Sequence, residues 1–197
     1  MTTRHSKLAP QLSKLLWLLR RYALHIPAPG TLIPLASGAK APYYIDIKRA
    51  SLHRDVFPVL AGCLHAQLDA WVPLDAVAGV ALGGCQLASI VSFYAAMMIG
   101  EPRLDALFVR KERSTHGMMN IVEGSITNHP RVVLLEDVVT TGESSIKAVN
   151  ALKDAGCNVQ GVLAVVDNRN GKVEMNETLT DGAPFRALFT FEQFVGG

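Results

Sequence analysis

Residues 136–144 hold the densest chemistry in this chain: Glu136-Asp137-Val138-Val139-Thr140-Thr141-Gly142-Glu143-Ser144. Adjacent carboxylates at the end of an apolar run can accept hydrogen bonds from a vicinal diol, or hold Mg2+ through water. The hydroxyls and glycine that follow open a helix, where unpaired backbone amides and the helix dipole suit a phosphate dianion. A diol at one end and a phosphate at the other match a ribose 5-phosphate. Either half alone is common in ordinary strand-to-helix turns, where Ser144 would do no more than cap the helix. Both halves on one strand–loop–helix are rarer. The segment is not a Walker loop, because Gly-Lys-Ser/Thr occurs nowhere in the chain.

Three other segments carry residues of the same kind. Arg110-Lys111 ends an apolar run and could meet a polyanion or merely solvate a sheet edge. The polar stretch 113–128 that follows contains His116, and a loop of that length in a compact domain suits a lid. Gly83-Gly84, after Leu82, lets backbone amides approach an anion closely. Tyr43 and Tyr44 alternate across an extended segment, which predicts one in the core and the other stacked on a planar ligand.

The elements that must position these residues alternate in type. A helix is predicted over residues 10–23, then a broken stretch through Ser37-Gly38 and an extended segment over 43–47. Residues 55–70 place Leu60, Leu64 and Leu68 on one helical face. Strand-like runs at 76–81, 106–109, 132–135 and 162–166 alternate with helices over 86–99 and 144–155. Short apolar runs between helices read as βαβ units on a parallel sheet covered on both faces. Ligands of such sheets bind beyond the carboxyl ends of the strands, here after Ala81, Val109, Leu135 and Val166.

Length and composition narrow the class further. At 197 residues the chain is read as one domain, with no linker or repeat. A 49% hydrophobic and 18% charged composition is globular. A net charge of +2 argues against a dedicated nucleic-acid surface. Cys63, Cys85 and Cys157 are odd in number and lie in apolar runs, which fits a reducing, cytoplasmic setting rather than a disulfide framework. The apolar run 90–99 contains Ser92 and is too short to span a membrane. Arg20-Arg21 interrupts the apolar start, so residues 10–23 read as a packed amphipathic helix and not a signal peptide.

The segment 136–144 resembles the signature of the type I phosphoribosyltransferases: an apolar strand, two acids, two further residues, then Thr-Thr-Gly and a small hydroxyl residue nearby. Further segments resemble orotate phosphoribosyltransferases. They are Phe108-Val109-Arg110-Lys111-Glu112 with His116-Gly117, Ser37-Gly38 with Ala41-Pro42-Tyr43-Tyr44, and Val80-Ala81-Leu82-Gly83-Gly84. The resemblance implies a single α/β domain with a mostly parallel five-stranded sheet and a small hood, from about residues 1–45 and 171–197. It implies Mg2+-dependent transfer of ribose 5-phosphate from phosphoribosyl pyrophosphate (PRPP) to orotate, in a homodimer whose lid reaches the neighbouring site. By that resemblance Lys111, His116 and Asp137 are the catalytic candidates. Arg110, Lys111, His116, Glu136 and Asp137 would bind PRPP with the loop Val138, Val139, Thr140, Thr141, Gly142, Glu143 and Ser144. Leu82, Gly83 and Gly84 would form the pyrophosphate loop, with a non-proline cis peptide often found there. Tyr43, Tyr44, Thr140 and Asn168 would meet the base. No direct metal ligand is implied; Mg2+ would arrive on PRPP, with Glu136 and Asp137 reaching it through water. The side chain of Glu143 should point away, since the phosphate loop works through its amides.

The chain also departs from the family pattern. Ser114 stands in place of a lid lysine, Ala36 in place of a lysine near the base, and Gly83 where lysine or threonine is common. Asn168 replaces an arginine that pairs with orotate, and Arg169 follows one position late. Three rivals therefore stay open: transfer to a purine or uracil, a PRPP- or nucleotide-sensing regulator without turnover, and a generic α/β nucleotide binder.

Overall fold

The computed structural model describes residues 2–34, 38, 40–98, 103–111, 120–169 and 182–196, with side chains from residue 8 onward. In chain order the elements are α1 (Thr2–Ala23), β1 (Leu24–His25), β2 (Ile33–Pro34), β3 (Lys40–Ala41), β4 (Tyr44–Ile45), α2 (Ile47–Ser51), α3 (Phe57–Leu68), β5 (Ala76–Val80), α4 (Gly83–Met97), β6 (Asp105–Val109), β7 (Val122–Glu123), β8 (Arg131–Val139), α5 (Glu143–Asp154), β9 (Asn158–Asp167), β10 (Phe185–Thr190) and α6 (Phe191–Val195).

The central sheet runs β10-β9-β8-β5-β6-β7. Its first five strands are parallel, and β7 pairs antiparallel with β6. The mostly parallel α/β expectation holds, with six strands in place of five. The added strand β7 has two residues, too short to show a period in sequence. Residues 185–190, assigned to the hood by sequence, instead form an edge strand whose Phe189 pairs with Val166. Their one outward charge, Arg186, lies over the Trp71 ring.

Strand pleating sorts the core into two faces. Val77, Val133, Leu135, Leu163 and Val165 pack with α1, α3 and α4, where Leu15, Leu19, Leu60, Leu64 and Leu87 are fully buried. Ala78, Val132, Leu134 and Val162 pack with Val149 and Leu152 of α5 on the other side. Each fully buried leucine contributes roughly 2 kcal/mol of apolar transfer, so helices on both faces clamp the middle strands.

Helix α4 approaches the sheet too closely for side chains. A Cβ on Gly79 would overlap the Gly84 backbone, and one on Gly84 would lie 2.5 Å from the Leu135 carbonyl oxygen. This contact fixes the start of α4 against the end of β5 and the middle of β8. Helix α1 extends back through Pro10, where the sequence reading began it, and α2 starts at Ile47, where an extended segment was expected. Asp46 explains the second difference: its carboxylate accepts from the Arg49 amide at 3.1 Å and caps α2. Among the described residues, no helix is long and apolar enough to cross a membrane.

Candidate functional site

Strand β8 carries both carboxylates, and the pleat separates them. Glu136 continues the face of Val132 and Leu134 and points toward α5, whereas Asp137 continues the face of Val133 and Leu135 toward α4. Glu136 is 5% exposed and accepts a 2.8 Å hydrogen bond from the Ser145 hydroxyl in the first turn of α5. Burial pushes its carboxyl up to about 7, the Ser145 hydrogen bond opposes this, the Asp137 charge adds to it and the Lys111 charge opposes it.

Asp137 is more open. Its Oδ1 accepts from the Val138 amide at 2.9 Å, and its Oδ2 lies 3.7 Å from the Lys48 ammonium. Gly83 sits against this carboxylate so closely that any Cβ there would overlap it. The bare glycine at a position where the family often has lysine or threonine is thus fitted to the present Asp137 geometry.

The two carboxylates share a cleft of about 460 Å³ with Lys48, Ala81, Leu82, Gly83, Lys111 and Ser144. The Ala81–Leu82 peptide is cis, as the resemblance implied. Beyond Val139 the chain turns through exposed Thr140 and Thr141 to Gly142, at φ +80°, which caps α5. The cap is therefore this glycine and not Ser144, and the positive φ aims the first amides of α5 out of the sheet end. The Glu143 side chain turns outward to Lys147 at 2.6 Å, leaving the loop amides unencumbered by its charge.

A second cavity of about 430 Å³ adjoins the first. Ala41, Tyr43, Tyr44, Ile45, Lys48, Asp137, Val138, Thr140, Asn168 and Phe191 line it. Tyr43 packs its ring 4.9 Å from that of Phe191, and Tyr44, 39% exposed, lies 6.4 Å from His25. Neither tyrosine belongs to the core, contrary to the alternation argument. Tyr43 lies just before β4, and β4, which begins with Tyr44, is only two residues long and sits apart from the main sheet, so no regular pleat sends one of the two rings into the protein interior.

The expected cations separate. Lys111 reaches the cleft, while Arg110 is held at its rim by a 2.7 Å bond from Nε to Glu123 of β7. His116, Ser114 and Ala36 lie outside the described residues. Arg169 does not line this second cavity and is 3% exposed, donating to both Asp167 oxygens at 2.8 and 2.7 Å. Three lining residues, Ile45, Lys48 and Phe191, were given no site role by sequence. Lys48 lies four residues beyond Tyr44, just inside α2, where the charge following the Tyr-Tyr segment could have drawn attention to it. Phe191 carried no local signal.

Among the described residues, no group of three or more His, Cys, Asp or Glu could hold a metal ion. Two carboxylates facing an open cleft suit a cation brought in by a polyphosphate and reached through water.

No family model matches the chain. It is 40% identical over 166 residues to orotate phosphoribosyltransferase of Sorangium cellulosum, spanning 83% of this chain and 84% of that protein. The Mycobacterium avium orotate phosphoribosyltransferase is 36% identical over 179 residues, 91% and 93% of the two chains. A crystal structure of Mycobacterium tuberculosis orotate phosphoribosyltransferase in complex with PRPP superposes with a TM-score of 0.73 at 28% identity, covering 94% of this chain and 99% of that one. With 36–40% identity to these relatives over most of its length, the chain belongs to the orotate phosphoribosyltransferase family of type I phosphoribosyltransferases.

Proposed function

We propose that the cleft around Glu136 and Asp137 holds PRPP and that the cavity bounded by Tyr43, Tyr44, Asn168 and Phe191 holds orotate. The observation that carries this reading is that the two cavities meet at Asp137 and Val138. There the C1 carbon of a ribose held by its diol would face a base in the neighbouring cavity. The bond from C1 to the pyrophosphate oxygen breaks and a bond from C1 to N1 of orotate forms. The products are orotidine 5′-phosphate and pyrophosphate, and the N1 proton leaves with the departing phosphates or to solvent.

The residues divide this work by chemistry. Asp137 and Glu136 accept from the ribose hydroxyls, and the backbone from Thr140 to Ser144 receives the 5-phosphate at the start of α5. Lys111 and the Leu82-Gly83-Gly84 backbone meet the pyrophosphate, where departing negative charge needs donors and cations. Arg110 and His116 are proposed to join them from the lid. The tyrosines and Phe191 offer the base a flat apolar wall, and Thr140 and Asn168 offer it polar groups. Bound with PRPP, Mg2+ supplies positive charge to the pyrophosphate, with Glu136 or Asp137 reaching it through water.

A homodimer accords with the exposed Phe93 and Met97, one turn apart on α4 and 59% and 66% exposed. Cytoplasmic residence accords with the three free cysteines. The test is turnover with PRPP and Mg2+ on orotate, uracil, adenine and guanine. Orotate should give the highest kcat/KM. A wild-type preference for an uncharged base would overturn the orotate assignment, and no pyrophosphate release with any base would favour a PRPP-sensing regulator.

A further inference from the structure

We propose that Lys48 is the cation that selects a carboxylated pyrimidine, a specificity-determining residue supplied by α2 and not by the loop after β9. The proposal rests on the reading of the two cavities as the PRPP and orotate sites.

The base cavity lacks the guanidinium that the family pattern places after β9. Asn168 occupies that position, and Arg169 is committed to Asp167 and lies 4.2 Å over the Phe185 ring. Among the described residues lining the base cavity, Lys48 is the only lysine or arginine. A buried carboxylate without a cation or strong donors would cost several kcal/mol, enough to abolish preference for orotate.

Position supports the same residue. Lys48 also lines the PRPP cleft, so it stands where the two cavities meet. Orotate must present N1 at that junction to reach C1 of ribose, and its carboxylate is on the ring carbon bonded to N1. The carboxylate therefore arrives beside Lys48. The ammonium lies 3.7 Å from both Asp46 and Asp137, beyond hydrogen-bond range of either. Its donors are thus free to turn to a ligand. Its backbone is anchored, because the Lys48 carbonyl accepts from Gln86 Nε2 of α4 at 3.2 Å and from the Ser51 hydroxyl at 3.0 Å. The side chain is 44% exposed, so replacing it leaves the core intact.

Steady-state kinetics of the wild type, Lys48→Gln and Lys48→Arg, with thermal midpoints, test the proposal. Lys48→Gln should raise the orotate KM about 10- to 100-fold, the worth of one hydrogen bond to a charged group, and move the PRPP KM by less than about threefold. Uracil, used as a competitor that has no carboxylate, should show a Ki that moves by less than about threefold, and Lys48→Arg should restore most orotate affinity. A PRPP KM that rises as much as the orotate KM, or a uracil Ki that rises in parallel, would overturn the proposal and assign Lys48 to Asp137 and the ribose. Failure of the wild type to use orotate would remove the reading on which the proposal rests. Orotate turnover by the wild type with an unchanged KM in Lys48→Gln would remove the proposal alone.

Discussion

Ser145→Ala isolates a single buried hydrogen bond in the site. The Ser145 hydroxyl donates to Glu136 at 2.8 Å, both residues are buried, and the Glu136 carboxyl already stands at about 7. Removing the donor leaves burial and the Asp137 charge unopposed except by Lys111, so the carboxyl rises further. A hydrogen bond to a charged group contributes roughly 1.5–3 kcal/mol, which corresponds to about 1–2 pH units of displacement. In the proposed site the ionised form of Glu136 accepts from the ribose hydroxyls. The acid limb of kcat/KM for PRPP should therefore lie near neutrality in the wild type and about 1–2 units higher in Ser145→Ala, with recovery at alkaline pH. Initial rates at low PRPP over a pH series provide the assay. Glu136→Gln serves as control, because any limb it retains belongs to the substrate phosphates, which ionise near pH 6. Coincident acid limbs in wild type and Ser145→Ala would refute the reasoning. Stability should move oppositely. A carboxyl raised in the folded state favours folding while protonated, so its contribution is most favourable below the unfolded value near 4.5. It is lost as pH rises through about 7, by roughly 3 kcal/mol in all.

Asp137→Asn should nearly abolish turnover yet keep the thermal midpoint within a few degrees, because Asp137 sits at the open sheet end and not in the core; near-wild-type activity would remove it from the ribose site. Gly83→Ala, whose Cβ overlaps the Asp137 carboxylate, should cost about 100-fold or more in kcat/KM, and unchanged kinetics would show that Asp137 has freedom to move. Mixing Lys111→Ala with Asp137→Asn protomers should restore part of the activity if the lid serves a partner's site, and no recovery despite demonstrated subunit exchange would confine the lid to its own chain. Asn168→Arg should lower the orotate KM more than the PRPP KM, and a reversed order would place residue 168 away from the base.

Much of this site is legible in sequence because its chemistry is local. Strand end, acid pair, glycine cap and helix start fall within nine consecutive residues, so spacing alone puts two carboxylates and the amides of a helix start at opposite ends of one loop. The apolar runs likewise reveal the parallel strands. What sequence misses depends on contacts between distant segments. Phe191 enters the base cavity because β10 joins the sheet edge and delivers α6 beside Tyr43, and nothing near residue 191 announces that packing. The division of Glu136 and Asp137 between opposite sheet faces follows from the pleat, but only once β8 is seen to continue past Leu135 to Val139. Arg169 shows the converse: a cation one residue late reads as available until Asp167 is seen to hold it.

A structure of the orotidine 5′-phosphate complex would show where each part of the nucleotide binds. The ribose hydroxyls should lie on Glu136 and Asp137, the phosphate on the amides of Thr140 to Ser144, and the pyrimidine against Tyr43, Tyr44 and Phe191. A nucleotide bound with its phosphate away from that loop, or with its base outside that cavity, would contradict the proposed site.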